Sequence, residues 1–371
     1  MKVLYLVSRL RAGGPSNQLK NIVQNLEAQW KPSVLTLSPE EGATALPEFE
    51  QAGVPVRSLK LSRYVGFLRA PLRLRQIFRE VKPDVVHSQG IRSDLLSALV
   101  LQDVFRVATL RNYPFDDYRS KFGVVQGEMM ARAHLAALRY IEVPVACSQA
   151  VQRKNARHDL SLGVVQNGVD ASTYCPPESA EKREALRRAL DLPTDLPIFV
   201  SVGLLIPRKD PQRVIRGFQQ SEAAEDGVLV MLGDGPLLDD CKEVAAEQSG
   251  EVKFPGFVDN VDAYLQAADC FISASLSEGL PNTVMEALGT GVPVILSDIP
   301  SHREILAEGS RAGRLFETKN TNELATSINS LRRQCKPDLR RTARKVVVSH
   351  FNATRVSEDY QKIYQSAFQS G

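Results

Sequence analysis

The sequence lacks the features that mark secreted, membrane-spanning and disulfide-rich proteins. Its five cysteines (Cys147, Cys175, Cys241, Cys270 and Cys335) are odd in number and scattered, and no two form a C-x-x-C pair. This pattern predicts reduced structural thiols rather than a zinc or redox site. No apolar run approaches the roughly eighteen residues that span a bilayer, and Met1 to Val7 are too few for a signal peptide. We therefore expect a cytoplasmic chain.

Motifs for metals and nicotinamide cofactors are equally scarce. The sequence D-x-D occurs nowhere, and no His, Cys and carboxylate residues cluster as a ligand set would. A nicotinamide dehydrogenase would need G-x-G-x-x-G after the first strand, which Ala12-Gly13-Gly14-Pro15 does not supply. The prediction is therefore a site without metal or cofactor.

Charge is distributed unevenly along the chain. The net charge is +3, but residues 1–172 hold 23 basic and 15 acidic side chains, which gives +8 for the first half and −5 for the rest. Within residues 57–82, a single acid, Glu80, accompanies eight basic residues: Arg57, Lys60, Arg63, Arg69, Arg73, Arg75, Arg79 and Lys82. This segment predicts an anionic partner, and nothing in the sequence points to a nucleic acid.

The same segment has helical periodicity. Its apolar residues Phe67, Leu74, Ile77, Phe78 and Val81 approximate one helix face, with arginines around the rest. Two interpretations remain open: a helix lying on anionic lipid at the inner face of the cell membrane, or a crossover helix that packs inward and shows arginines to solvent.

Short β-branched runs alternate with longer helical stretches, which is the pattern of parallel strands joined by crossover helices. The first predicted strands are Val3–Val7, Ser33–Leu37, Val54–Ser58, Asp84–His87, Val107–Leu110 and Val143–Cys147. After a proline-containing linker come Ile198–Val202, Val228–Leu232, Val252–Phe254, Cys270–Ser273, Val292–Leu296 and Arg314–Phe316. The periodicity of residues 353–368 predicts a terminal helix that packs back on the first domain. We expect two doubly wound α/β domains, 1–172 with helix 353–371 and 173–352, that face each other across a cleft.

The segment from Ser277 to Leu288 contains two glutamates, Glu278 and Glu286, eight residues apart. Pro281 suits a first helical turn, so Glu278 is predicted in a loop and Glu286 inside a helix. The free backbone amides of Asn282, Thr283 and Val284 would attract an anion such as a sugar diphosphate. A carboxylate buried in that helix needs hydrogen-bond partners, and ribose hydroxyls would serve.

On these residues the chain resembles glycosyltransferase family 4, whose retaining enzymes of the GT-B fold carry two glutamates separated by seven residues. The resemblance covers nearly the whole length, because further motifs agree in order: Gly13-Gly14-Pro15, Asn167-Gly168-Val169-Asp170, Gly233-Asp234-Gly235-Pro236 and Gly291-Val292-Pro293-Val294. It implies two Rossmann-like domains, the first for the acceptor and the second for the nucleotide-sugar donor.

The resemblance also implies roles for individual residues. Glu278 would contact the donor hexose and Glu286 the nucleotide ribose, while Lys209 in the Gly203–Asp210 loop would neutralise the leaving diphosphate. The donor-binding set is then Gly13, Gly14, Gly203, Arg208, Lys209, Glu278, Gly279, Leu280, Pro281, Asn282, Thr283 and Glu286. Leu204 stands where the family has an arginine, and Arg208 is the candidate to compensate.

The first domain departs from the family as well. Many relatives place a histidine just after the strand that corresponds to Val107–Leu110, whereas this chain has Arg111, which cannot act as a base at neutral pH. Arg111 would instead bind phosphate or an anionic acceptor group. His87 is a second candidate for catalysis, although a histidine at this place is often structural.

The resemblance implies transfer of a hexose or N-acetylhexosamine from a UDP-sugar to a saccharide acceptor with retention of anomeric configuration. If the basic segment lies on a membrane, the acceptor would be lipid-linked and the product a bacterial surface polysaccharide. Two alternatives stay open: a sugar-nucleotide epimerase of the same fold, and a non-catalytic sugar-nucleotide-binding protein.

Overall fold

A computed structural model describes residues 1–61, 66–308, 311–334 and 337–368. The chain divides into two compact units, residues 1–168 with 353–371, and residues 169–352. The division falls four residues before the boundary predicted from the sequence. Arg63 and Cys335 lie outside the described residues, as does the side chain of Phe67.

The first unit is built around a sheet of seven strands in the order β3-β2-β1-β4-β5-β6-β7, in which every pair of neighbours is parallel. Its strands are β1 (Lys2–Val7), β2 (Lys31–Thr36), β3 (Val56–Ser58), β4 (Val85–Gln89), β5 (Phe105–Leu110), β6 (Val143–Ala146) and β7 (Gly163–Val164). Its helices are α1 (Gly14–Gln24), α2 (Leu46–Gln51), α3 (Gly66–Val81), α4 (Ile91–Val100), α5 (Pro114–Phe122), α6 (Val124–Leu138) and α7 (Gln149–Ala156), with α16 (Ala353–Ser366) at the chain end.

Strand β1 shows why the sheet is covered on both faces. Val3, Tyr5 and Val7 belong to one core cluster, and Leu4 and Leu6 belong to another. Because successive side chains of a strand point to opposite faces, an uninterrupted apolar run requires helices on both sides. Residues of α1 and α16 supply one cluster, and residues of α3 and α4 supply the other.

The terminal helix α16 packs on the first unit, as its helical periodicity suggested. Tyr360 and Tyr364 are fully buried in the cluster that contains β1, and α16 lies against α1. The Ser357 hydroxyl donates to the carbonyl oxygen of Ile22 at 2.9 Å. Helix α16 therefore belongs to the same hydrophobic core as strand β1 and helix α1.

The second unit holds a sheet of six parallel strands in the order β10-β9-β8-β11-β12-β13. Its strands are β8 (Ile198–Val202), β9 (Val228–Leu232), β10 (Glu251–Gly256), β11 (Cys270–Ser273), β12 (Val294–Ser297) and β13 (Gly313–Phe316). Its helices are α8 (Ala180–Ala189), α9 (Pro211–Gln219), α10 (Leu238–Ala246), α11 (Val261–Ala267), α12 (Asn282–Gly289), α13 (Pro300–Ala307), α14 (Thr321–Gln334) and α15 (Pro337–His350). Short 3-10 helices cover Pro207–Lys209 and Glu222–Ala224.

The twelve predicted strands are present, with shifted ends in several cases, and the two-residue β7 is the one that the sequence analysis missed. Helix α3 settles the two interpretations of the basic segment in favour of inward packing. Leu74 is fully buried with Ile77 and Phe78 against it, whereas Arg73 and Arg79 are exposed. The described apolar residues of α3 thus pack on the sheet, and contact of the arginine-rich face with a membrane stays a prediction.

None of the helices in the described ranges is long and apolar enough to cross a membrane. The four described cysteines are free thiols; Cys147, Cys241 and Cys270 are buried and Cys175 is half-buried.

Candidate active site

The candidate donor residues of the second unit lie at the point where the strand order of its sheet reverses. Strands β8 and β11 are neighbours, but their crossover connections leave in opposite directions. Ligands of open α/β sheets bind beyond the carboxyl ends of such a strand pair. The loop after β8 carries Lys209, and the loop after β11 carries Glu278. The topology therefore brings residues 69 positions apart to one edge.

Glu278 is the centre of a compact ion cluster. Its Oε2 lies 2.9 Å from Nη1 of Arg208, and its Oε1 lies 2.6 Å from Nζ of Lys209. The same Arg208 nitrogen donates to the carbonyl oxygen of Ser277 at 2.6 Å. The Glu278 side chain is only 7% exposed, so both cations are fixed by a carboxylate that water hardly reaches. Arg208 and Lys209 thus contact the same carboxylate, and compensation for Leu204 by Arg208 stays a prediction.

The charge state of Glu278 follows from these contacts. Burial alone would raise the pKa of its carboxyl, but the positive charges of Lys209 and Arg208 outweigh burial and lower the pKa from 4.5 to about 2. A hydrogen bond from Ser275 adds to the lowering of this pKa. Glu278 is therefore an anion throughout the physiological range and cannot serve as a proton donor there.

Helix α12 begins as the sequence predicted. Pro281 caps it, and Asn282 is the first helical residue. Gly279 and Leu280 are buried beneath the turn, while Asn282 and Thr283 are half-buried. Backbone amides at such a helix start can bind an anion.

Glu286 lies in the middle of α12 and is 6% exposed, so the prediction of a buried helical carboxylate is confirmed. The hydroxyl of Tyr174 forms a hydrogen bond with it, and burial together with the Glu286 charge raises the pKa of that tyrosine.

Sequence reasoning missed three residues around this cluster: Tyr174, Ser275 and His302. His302 is fully buried; its Nδ1 donates to the carbonyl oxygen of Ser297 at 2.7 Å, and burial lowers its pKa to about 4. His302 follows β12 at the start of α13, and that position could have drawn attention to it. Tyr174 and Ser275 carry no comparable sequence signal.

Two candidates of the first unit lie at the carboxyl edge of their own sheet. Gly13 caps α1 with φ of 135°, a conformation that favours glycine, and a Cβ there would meet no atom within 4 Å. Gly14 is the first residue of α1.

Arg111 follows β5 and donates through Nη1 to Oδ1 of Asn167 at 2.7 Å and through Nη2 to Oε1 of Gln89 at 3.1 Å. Both acceptors are neutral amides. The guanidinium is therefore oriented without being neutralised by them, which suits it to an anionic ligand.

The prediction that His87 takes part in catalysis is wrong. Its ring is fully buried, with Nδ1 2.7 Å from the Tyr364 hydroxyl and Nε2 2.7 Å from the Thr109 hydroxyl. Burial, helped by the charge of Arg111, lowers the pKa of His87 to about 3. Because both ring nitrogens are occupied and the ring is neutral, His87 joins β4 and β5 to α16 and has no free atom for a substrate.

We expect His87→Ala to destabilise the protein without impairing its chemistry. Removal of the ring leaves a cavity and takes one hydrogen bond from each of two buried hydroxyls, which keep Tyr5 and Tyr360 as partners. We expect these losses to cost about 3 kcal/mol of the free energy of unfolding. Denaturant unfolding measures this loss, and activity per folded molecule should stay within about twofold of wild type. A folded variant that has lost most of its turnover would show that His87 has a catalytic role after all.

Within the ranges that the structure describes, no group of three or more His, Cys, Asp or Glu side chains is arranged to hold a metal ion.

Comparison with known families agrees with the division of the fold. The model described as "Glycosyl transferases group 1" matches residues 182–345, and the model described as "Glycosyl transferase 4-like domain" matches residues 13–168. One match lies within each compact unit, and together they span most of the chain.

Individual relatives point the same way. The O-antigen biosynthesis glycosyltransferase WclY of Escherichia coli is 24% identical over 99% of both chains. The Escherichia coli UDP-Gal:alpha-D-GlcNAc-diphosphoundecaprenol alpha-1,3-galactosyltransferase is 23% identical over 80% of this chain and 79% of that protein. The structure of HepE from Anabaena in complex with UDP-glucose superposes with a TM-score of 0.84 at 19% identity, covering 99% of this chain and 100% of that one. The chain therefore belongs to the group 1 glycosyltransferases and has the GT-B fold.

Proposed function

We propose that this glycosyltransferase moves a hexose or N-acetylhexosamine from a UDP-sugar to a saccharide acceptor, with retention of the anomeric configuration and without a metal ion. The second unit holds the donor and the first unit holds the acceptor. The observation that carries the proposal is the buried cluster of Glu278 with Arg208 and Lys209, joined through one loop to α12 and Glu286.

The cluster suits the departure of a nucleoside diphosphate. As the bond between the anomeric carbon and the diphosphate breaks, negative charge grows on the leaving oxygen, and a fixed cation beside it lowers the barrier. Lys209 supplies that cation, and the amides at the start of α12 bind the diphosphate. These groups take the part that a divalent ion plays in other transferases.

In the proposed step, the acceptor hydroxyl attacks the anomeric carbon from the face that the diphosphate leaves. The new glycosidic bond forms as the bond to the diphosphate breaks, and the hydroxyl proton passes to a diphosphate oxygen. Glu278 accepts hydrogen bonds from the hydroxyls of the hexose and stays ionised, in line with the lowered pKa of its carboxyl. Glu286 accepts hydrogen bonds from the ribose.

For the acceptor, we propose a lipid-linked saccharide used in bacterial surface polysaccharide synthesis. The name of the galactosyltransferase relative specifies a diphosphoundecaprenol acceptor, and WclY is described as acting in O-antigen biosynthesis. The exposed arginines of the 57–82 segment support a peripheral position on the anionic inner face of the cell membrane. Arg111 is a candidate to bind a phosphate of such an acceptor.

The test is to incubate the protein with a panel of radiolabelled nucleotide sugars, with and without membrane lipid extract, in the presence of EDTA. Transfer of label to lipid from a UDP-sugar is expected, and it should persist in EDTA. For Glu286→Ala we expect donor affinity to fall about tenfold or more, because the ribose loses a charged acceptor.

Other products would contradict the proposal in separate ways. Conversion of the donor sugar without an acceptor would indicate an epimerase, and donor binding without any product would indicate a binding protein. Transfer that EDTA abolishes and added magnesium restores would overturn the metal-independent step.

A further inference from the structure

The hairpin formed by α5 and α6 exposes apolar side chains to solvent. Val124 and Val125 are 70% and 76% exposed, Met129 is 63% exposed, and Phe122 is 39% exposed. Every residue from Lys121 to Gln126 is exposed. We call residues 121–129 the hairpin tip. Contiguous exposed apolar side chains of this kind mark a contact surface for a partner.

The hairpin tip is held firmly by its own helices. Gly127 lies so close to α5 that a Cβ there would come within 2.6 Å of the backbone of Tyr118 and Arg119. Below it, Nδ1 of His134 lies 2.8 Å from the Tyr118 hydroxyl, and its Nε2 lies 2.7 Å from a carboxylate oxygen of the buried Asp94 on α4. The apolar tip is thus a fixed feature of the fold.

The charged side chains of α3, α4, α5 and α6 indicate what kind of partner the hairpin tip contacts. Among the described side chains of α3, α4, α5 and α6, Glu80 is the only exposed acid, whereas seven exposed side chains are basic: Arg69, Arg73, Arg75, Arg79, Arg119, Lys121 and Arg132. Glu128 pairs with Arg119 and Arg132, and the largely buried Asp117 pairs with Lys121, so the positive excess comes mainly from α3. The arginines of α3 lie across α4 from the hairpin, and apolar side chains in the same layer of helices as a basic surface match an anionic lipid bilayer.

The position of the tip within the unit also suits a membrane. Helix α4 packs between α3 and α6, so the three helices form one layer on the same face of the sheet. Helices that follow parallel strands begin near the carboxyl edge of the sheet, where substrates bind. The start of α3 and Arg111 lie at that edge. Helix α6 runs from the hairpin tip toward the start of β6 at the opposite edge, so the tip lies on the same side of the sheet as Arg111.

We propose that the hairpin tip inserts Phe122, Val124, Val125 and Met129 into the headgroup and acyl boundary of an anionic bilayer, while the α3 arginines contact the lipid phosphates. The proposal extends the proposed function, because an embedded tip keeps the acceptor edge of the first unit at the surface where a lipid-linked saccharide resides. The inserted element is thus the α5–α6 hairpin rather than the apolar face of α3.

The first experiment is vesicle flotation of the full chain with phosphatidylcholine vesicles that contain a minority of phosphatidylglycerol. Wild type should bind these and should bind pure phosphatidylcholine weakly. Val124→Asp combined with Val125→Asp should weaken vesicle binding at least about tenfold, because two apolar side chains that enter the bilayer are replaced by charged ones. The matched control is Leu99→Asp, at a 66% exposed position near the opposite end of α4, and it should bind as wild type does.

The second experiment reports insertion directly. The chain has one tryptophan, Trp30, which is 3% exposed in the core and gives a constant background. Val125→Trp should show a blue-shifted emission on binding and should be quenched by brominated acyl chains. Binding without quenching would leave the α3 arginines as the contact and overturn insertion.

Failure of this inference is separable from failure of the proposed function. UDP binding, and transfer to a saccharide acceptor without a lipid, should be the same in the aspartate double variant and in wild type. If wild type does not bind vesicles and sediments as a dimer, and the double variant sediments as a monomer, the tip is an interface between two copies and the membrane proposal fails. If vesicle binding is confirmed but no sugar is transferred, only the proposed function fails.

Discussion

Glu278→Gln should reduce kcat about a hundredfold to a thousandfold while UDP binding stays at wild-type strength or improves. The substitution keeps the size of the side chain but removes the charge that fixes Arg208 and Lys209 at 2.9 Å and 2.6 Å. The hexose then loses its ionised partner in the transition state, a class of loss that costs about this much in rate. The two cations become available to the diphosphate, so ground-state binding of UDP is not weakened.

The measurement is steady-state transfer at saturating donor together with calorimetric titration of UDP. Glu243→Gln, at an exposed position on α10, is the matched control and should leave kcat and UDP affinity unchanged. If Glu278→Gln keeps more than about a tenth of the wild-type kcat, the carboxylate has no part in the transition state.

Lys209→Met should weaken UDP binding about tenfold and lower kcat about a hundredfold. Methionine has a similar length but carries no charge, so the leaving diphosphate loses its nearest cation. Arg208→Met tests whether the neighbouring cation acts in the same way. Lys242→Met, at an exposed position on α10, is the control that should have no effect. Equal UDP affinity in Lys209→Met and wild type would remove Lys209 from the donor site.

The same variant should change the pH dependence of the residual activity. In wild type, Lys209 and then Arg208 overcome the effect of burial and hold the pKa of Glu278 at about 2. Without Lys209 the charged carboxylate is less stabilised, so its pKa rises and it takes up a proton at a higher pH. The residual rate of Lys209→Met should therefore fall on acidification before the wild-type rate does. Parallel acid limbs would show that this ionisation does not limit transfer.

Much of the fold could be predicted because the local signals were strong. Strands β8, β9 and β11 match their predicted bounds, since each is a short apolar run between clear breaks. Strand β7 was missed because its two residues, Gly163 and Val164, have neither length nor alternation. It forms through pairing with β6, which is a tertiary effect.

The candidate site was predicted unevenly, for a physical reason. Glu278 and Glu286 are separated by seven residues in one motif, so their placement on a loop and in α12 follows from local rules. The hydrogen bond between Tyr174 and Glu286, and the ion pairs of Glu278 with residues after β8, depend on which strands become neighbours. Sequence spacing carries no such information.

The error on His87 and the open choice for α3 have a common origin. A histidine at a strand end and an amphipathic helix have the same sequence pattern whether they face a ligand or the core. In both cases, the residues that determine whether the side chains face the core or a ligand come from a distant segment of the sequence. Tyr364 of α16 occupies His87, and the first sheet covers the apolar face of α3.

A crystal structure with an intact UDP-hexose would show whether the α12 loop and its ion cluster bind the donor. We expect hexose hydroxyls on Glu278, ribose hydroxyls on Glu286, and diphosphate oxygens at Lys209 and the first amides of α12. A nucleotide bound elsewhere in the second unit, with Glu278 still enclosed by its two cations and making no contact with the sugar, would contradict this mode of donor binding.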